Sequence, residues 1–244
     1  MIDYLINFII GLSIGIIAGL FGIGGGFLIV PLLTLKGLPI HDAIGTSLTC
    51  IVMSSFASSY THLKHGRVLF KVAALKEAFS IPTALLGAYL TIFLGKNILK
   101  SLFAFLLIYL SYTMLTSREQ LPQSEAKEIN YRNVPLVGII AGLSSGLLGI
   151  SGGILNVPLF NSLVQIPISY AIGTSSVALF FTALAGSLMH YHIGQVRVDV
   201  AILLAPGLIM GGYLGAKLVH NIHPEKLKRA FAAILVLIAL KMVL

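Results

Sequence analysis

The sequence is poor in charge. Of its 244 residues only 10% are Asp, Glu, Lys or Arg, against about 25% in a soluble domain, too few to cover a water-facing globule. Carboxylates are the scarcest, with eight Asp and Glu against sixteen Lys and Arg. None of the eight reads as a mid-span residue: Glu77 beside Lys76 and Asp199 beside Arg197 fall near segment starts. Intramembrane carboxylates mark cation and proton relays, so their lack favours an anionic ligand. The single cysteine, Cys50, excludes a disulfide framework and a cysteine-based metal cluster, and reads as a small core residue. No Lys/Arg-rich stretch is interleaved with aromatics, so the +8 net charge does not point to nucleic acid. Short segments alternating apolar and polar are missing too, which argues against a transmembrane β-barrel.

What is present is oil. Hydrophobic residues make up 57% and the mean hydropathy is +0.98. Apolar runs long enough to cross a ~30 Å hydrocarbon slab as helices recur along the chain. The N-terminus carries Asp3 and no basic region, so residues 4–21 read as a retained helix, not a cleaved signal. The fold expected is all-α, a polytopic transmembrane helical bundle in the cytoplasmic membrane.

The two halves repeat each other. "IAGLFGIGGGFLIVPLL" (Ile17–Leu33) answers "IAGLSSGLLGISGGILNVPLF" (Ile140–Phe160), and "AIGTS" occurs at Ala43–Ser47 and Ala171–Ser175. "THLKHGRV" (Thr61–Val68) matches "MHYHIGQV" (Met189–Val196), and "PTALLGAYL" (Pro82–Leu90) matches "PGLIMGGYL" (Pro206–Leu214). The unit is roughly 110–115 residues, far beyond a solenoid period. It divides the chain into a first repeat at 1–116, a polar cytoplasmic linker at 117–133 and a second repeat at 134–244. Segments are expected at 4–21, 24–36, 42–62, 72–95 and 98–116, then at 134–148, 152–164, 170–190, 197–218 and 226–243.

Basic residues set the orientation. Inverted repeats would put Lys64, Arg67, Lys71, Lys76, Arg118, Lys127, Arg132, Lys217, Lys226, Lys228 and Arg229 on the linker's side. Lys36, Lys96, Lys100, Arg197 and Lys241 would then lie opposite. Parallel repeats would divide them almost evenly, so the repeats are expected to be inverted.

Inverted repeats with Gly/Pro-interrupted segments in matching places point to a secondary transporter with its site between the repeats. A helix broken inside a bilayer frees backbone groups that hydrocarbon cannot satisfy, so the break must line a cavity or meet a ligand. The N–H groups at a half-helix N-terminus favour anions. Gly24, Gly25 and Gly26, and their counterparts Ser151, Gly152 and Gly153, are read as such broken or re-entrant segments. Three small residues in sequence exceed what a packing face needs, because facing positions lie three or four apart. Scattered Gly11, Gly15, Gly87 and Gly212 read as packing residues.

"GIGGGFLIVPLL", then "AIGTSL", then "THLKHGRV" resembles the TauE/SafE family of sulfite exporter-like membrane transporters, repeat by repeat over essentially the whole chain. The resemblance implies export of small oxyanions or C2 sulfonates such as sulfite or sulfoacetate. Two departures, Ser151 for Gly24 and Asn156 for Ile29, make the half-sites unequal.

The remaining candidates follow the repeat. Thr46, Ser47, Thr174 and Ser175 are expected to open helices as N-caps and to offer hydroxyls to an oxyanion. His62 and His190 are read either as interfacial basic residues or as groups for anion attraction or proton coupling. His190 and His192 do not share a helical face, so no metal is expected, and no cofactor or catalytic residue is assigned. Partners expected are a small anion and membrane lipid, with no nucleic acid and a homodimer left open. An anion channel shares these features and stays open as an alternative. A membrane-embedded enzyme would need a nucleophile–base or metal cluster that does not recur here.

Overall fold

The computed structural model describes residues 2–21, 25–64, 66–116, 129–150, 152–218 and 224–243. Among them every regular element is helical. The first half contributes α1 (Ile2–Phe21), α2 (Gly26–Leu35), α3 (Ile40–Lys64), α4 (Phe70–Leu90) and α5 (Lys96–Thr116). A 3-10 turn at Tyr131–Asn133 leads into α6 (Val134–Leu148), α7 (Gly153–Ser162), α8 (Ile168–Ile193), α9 (Val198–Leu218) and α10 (Pro224–Val243). Each expected segment is a helix, with ends displaced by a few residues. Most of the polar linker, 117–128, lies outside the described residues.

Proline sets two of those helix starts. "GTS" does not open α3 or α8. Both helices begin just after Pro39 and Pro167, whose carbonyls accept the amides of Ala43 and Ala171, six residues upstream of each threonine. A fixed φ and a missing N–H suit proline to a helix start, so it pre-empts the later threonine.

The halves interlock. α1 packs along α9, α4 along α6, α5 along α10 and α3 along α8, so each of these pairs joins one half to the other. Glycines bring the backbones together. A Cβ on Gly138 would meet the Lys76 carbonyl at 2.5 Å, and Gly142 and Gly146 abut Ser80 and Ala84 in the same register, so α4 and α6 run parallel. Gly11 and Gly15 abut Leu204 and Leu208 in the same way, which sets α1 parallel to α9. Such small-residue faces let helices approach closely where water exclusion cannot drive them together. Gly11, Gly15 and Gly87 are therefore packing residues, whereas a side chain on Gly212 would point into open space. α3 and α8 run antiparallel, with Thr49 beside Ser187 at one end (2.8 Å) and Ser59 on the Ser176 carbonyl at the other (2.9 Å).

α2 lies inside the bundle. Phe27, Ile29, Val30 and Leu33 are buried among Ile44, Phe103, Leu107, Leu148 and Leu204. The outer surface is apolar, with Phe56, Phe93, Phe105 and Leu237 between 66% and 71% exposed. By length and composition α8 over 170–193 and α9 over 198–215 can cross a membrane. Backbone groups in such a medium must bond internally, as they do in helices.

Candidate functional site

α2 and α7 are ten residues each, about 15 Å of helix and half a ~30 Å bilayer core. Both begin at the glycine motif. Gly25 has the left-handed φ of 79°, a conformation glycine adopts without steric cost, and its carbonyl accepts the amides of Leu28 and Ile29. Gly152, at φ −50°, accepts from Leu155 and Asn156. The N-cap residue of each is a glycine, which has no side chain to cap the helix. Gly25, Gly26, Gly152 and Gly153 are all buried, so both helix N-termini sit inside the protein. Gly24 and Ser151 lie outside the described residues.

The GTS residues hold this arrangement together. The Thr46 hydroxyl oxygen accepts the Arg197 amide at 2.9 Å, just before α9. The Thr174 oxygen accepts the Leu69 amide at 3.0 Å, just before α4. Gly45 and Gly173, one residue earlier, press on the carbonyls of Gln195 and Arg67. Each threonine thus satisfies an amide at the entrance of a helix in the other half, and not in its own helix.

Ser47 and Ser175 diverge. Ser47 donates to the Gly149 carbonyl at 2.9 Å, with the Gly26 carbonyl 3.3 Å away, and so ties the two breaks to each other. Ser175 is fully buried and its Oγ has no partner among the described residues. Three more atoms share that condition: Ser145 Oγ on α6, and Asn156 Nδ2 and Oδ1 on α7. A Cβ on Gly152 would lie 3.4 Å from Asn156 Nδ2, so the amide reaches back over the N-terminus of its own helix. Both α6 and α8 pack against α7. Buried polar atoms without partners are rare, because each forfeits about 1–3 kcal/mol of hydrogen bonding. All four stand in the second half, where Asn156 replaces the buried Ile29 of the first.

The histidines part company. His62 sits half-buried in the last turn of α3. His190 is fully buried, with Nε2 at 2.9 Å from the Gly146 carbonyl and Nδ1 at 2.7 Å from the Gln195 side-chain amide. A carbonyl only accepts, so Nε2 carries a hydrogen. The Gln195 atom beside Nδ1 is Oε1, so a ring neutral with its hydrogen on Nε2 requires the Gln195 amide turned over to present its NH2 group. The Thr91 oxygen lies 3.2 Å from the same amide, and its hydroxyl donates to the Ala88 carbonyl at 2.6 Å. His190 cross-links α8 to α6 with both nitrogens engaged. His192 is exposed on another face, and among the described residues no three His, Cys, Asp or Glu side chains form a metal-binding group.

One pair departs from its expected place. Arg197 and Asp199 form an exposed ion pair of 3.1 Å at the start of α9, as expected of flanking charges. Lys76 and Glu77 do not flank a span. α4 starts at Phe70, so the pair lies in its second turn, and Lys76 is fully buried. Its Nζ bonds Glu77 Oε1 at 2.7 Å and Thr182 Oγ1 at 2.9 Å, and Thr182 lies near the middle of α8. Lys76 therefore drops out of the loop charges that set orientation.

Residues 7–242 match the family model described as Sulfite exporter TauE/SafE. Similar proteins include the probable membrane transporter protein MJ0441 of Methanocaldococcus jannaschii, 31% identical over 97% of this chain and 94% of that one. The probable membrane transporter protein YunE of Bacillus subtilis is 28% identical over 99% and 97%. A probable membrane transporter protein of Haemophilus influenzae is 28% identical over 98% of each. No solved structure matches. With nearly its whole length matched, this chain belongs to the sulfite exporter TauE/SafE family.

Proposed function

We propose that the protein is a multi-pass transporter of the cytoplasmic membrane that carries small sulfur oxyanions or short sulfonates, such as sulfite or sulfoacetate, outward. The observation that carries this reading is the set of four unpaired, buried polar atoms among the described residues, on Asn156 in the first turn of α7 and on Ser145 and Ser175 of the two helices that pack against α7. An oxyanion has several acceptor oxygens. Asn156 Nδ2, the two serine hydroxyls and the first amides of α7 at Gly153 and beyond are donors of the kind that would surround it. The helix dipole supplies partial positive charge where a small anion would sit. Gly25, Gly26 and Ser47 form the first-half counterpart, in which Ser47 is already engaged.

Alternation between two openings is supported by the antiparallel run of α3 against α8, which occupy corresponding places in the two halves. That direction fits inverted repeats, with the linker cytoplasmic. A saturable transporter is favoured over an open channel because Asn156 and Ser175 are wholly shielded from outside, so entry requires movement. The test is a ligand panel on purified protein. Sulfite, sulfoacetate and acetate should raise thermal stability in preference to nickel and ammonium, and the response should vanish in Asn156→Leu. Stabilisation by a cation alone would refute the reading.

A further inference from the structure

The Lys76–Glu77 pair is the only buried ion pair among the described residues. Thr182 Oγ1 lies 2.8 Å from each Glu77 carboxylate oxygen and 3.2 Å from Ser80 Oγ. The Lys76 side chain is 0% exposed and that of Glu77 9%, so the carboxylate is the member nearer the outside. The cluster has no counterpart. By the repeat match of Pro82 with Pro206, Lys76 corresponds to Val200, Glu77 to Ala201 and Ser80 to Leu204, all apolar. A bond needed only to hold α4 to α8 would be expected in both halves. The matching contact of α3 with α9 is made without it.

The cluster also lies along the same helix faces as two of the unpaired atoms, those of Ser175 and Ser145. Ser175 and Thr182 are seven residues apart on α8, two turns along one face and about 10 Å. On α6, Gly138 and Gly142 face Lys76 and Ser80, and Ser145 continues that face one turn further.

We propose that Glu77 is the proton-binding group of this protein, with Lys76 as the fixed positive charge released to the anion; the anion's part rests on the transport reading above. With Glu77 ionised, the ammonium is neutralised in place. When Glu77 takes a proton from water it becomes a neutral carboxylic acid, its hold on Lys76 weakens, and the buried ammonium needs another negative partner. A monoanion taken up beside the pair supplies one. Proton and anion then load together and leave together, an electroneutral movement whose direction follows their combined gradients. Among the described residues of the helices packed here, no other titratable group competes at this point. α6 carries none, and on α8 Tyr170, His190, Tyr191 and His192 lie two turns or more from Thr182. On α4 itself the others are Lys71, exposed and more than a turn away, and Tyr89 near the far end. His190 is committed to Gly146 and Gln195.

Two measurements test this. In lipid nanodiscs without substrate, infrared difference spectra between about pH 5 and about pH 9 should contain a carboxylic-acid band. That band should be lost in Glu77→Gln and displaced in Glu77→Asp; spectra identical to wild type in both variants overturn the proposal. In proteoliposomes the probe is isethionate, a sulfonate that does not titrate in this range. Wild type should accumulate it along an imposed pH gradient, while Glu77→Gln loses accumulation and keeps isethionate counterflow. Gradient-driven accumulation by Glu77→Gln overturns the proposal. If Glu77→Gln does not fold, Thr182→Val decides, since loss of that hydrogen bond should shift the pH midpoint; an unshifted midpoint overturns it. Absence of all isethionate movement in wild type instead counts against the transport reading, and the infrared spectra still decide the role of Glu77.

Discussion

Ser47 on α3 donates to the carbonyl of Gly149 at 2.9 Å, joining residues 102 apart in sequence and fixing the end of α6 against the first half. Its repeat partner Ser175 makes no such bond among the described residues. The same residue type in matching positions thus has two physical states, one spent on structure and one unspent. Their substitution should separate stability from binding. Ser47→Ala strands the Gly149 carbonyl and should cost about 1–3 kcal/mol in unfolding free energy, with anion affinity little changed. Ser175→Ala should leave stability unchanged or raised and weaken anion binding. Thermal unfolding with and without ligand reads both; equal effects from the two variants would contradict the assignment.

The threonines should behave like Ser47. Thr46 and Thr174 accept the amides of Arg197 and Leu69, so Thr46→Val and Thr174→Val each leave a part-buried amide without this partner at a helix entrance. Each should lower stability by about 0.5–2 kcal/mol, the usual range for a lost helix cap, and by similar amounts, since their geometry is so alike. A variant that binds anion at least tenfold more weakly without loss of stability would return that threonine to the site.

The glycines of the two breaks should differ as well. Gly25 has a left-handed backbone, and a Cβ there would stand 3.1 Å from that of Ala18, so Gly25→Ala should destabilise the fold. Gly152 has an ordinary φ, and its Cβ would approach Ala141 Cβ at 3.2 Å and Asn156 Nδ2 at 3.4 Å. Gly152→Ala should therefore fold and displace the Asn156 amide, with a fall in affinity larger than any fall in melting temperature.

His190→Ala should strand the Gly146 carbonyl and lose about 1–3 kcal/mol of stability. It should also keep the pH dependence of transport. Flattening of that dependence in this variant, at unchanged stability, would restore the imidazole as the titrating group.

Much of this architecture is legible in the sequence because its strongest signals are long-period and redundant. Apolar segments bounded by glycine, proline and charge mark the ten α-helices of the described residues, and the repeat marks which residues correspond. Tertiary partners are less legible. Nothing local tells that Thr46 answers an amide beyond residue 190, or that proline seven residues upstream has already started the helix. Lys76 and Glu77 look like flanking charges because α4 is read as starting at 72, and only the packing of α8 sets Thr182 beside them. One signal was available: the repeat places Val200 and Ala201 opposite that pair, so a charge was present in one half where the other is apolar. Asn156 against Ile29 carries the same kind of signal, a polar residue in one half where the other is apolar.

The central claim is that a small anion binds at the start of α7 through Asn156. Titration calorimetry of the purified protein with sulfite or sulfoacetate, wild type against Asn156→Leu, tests it most directly. Loss of a hydrogen bond to a charged ligand costs about 1.5–3 kcal/mol, so the variant should bind at least about tenfold more weakly while unfolding at the same temperature or above. Equal affinity in the two proteins would contradict the account.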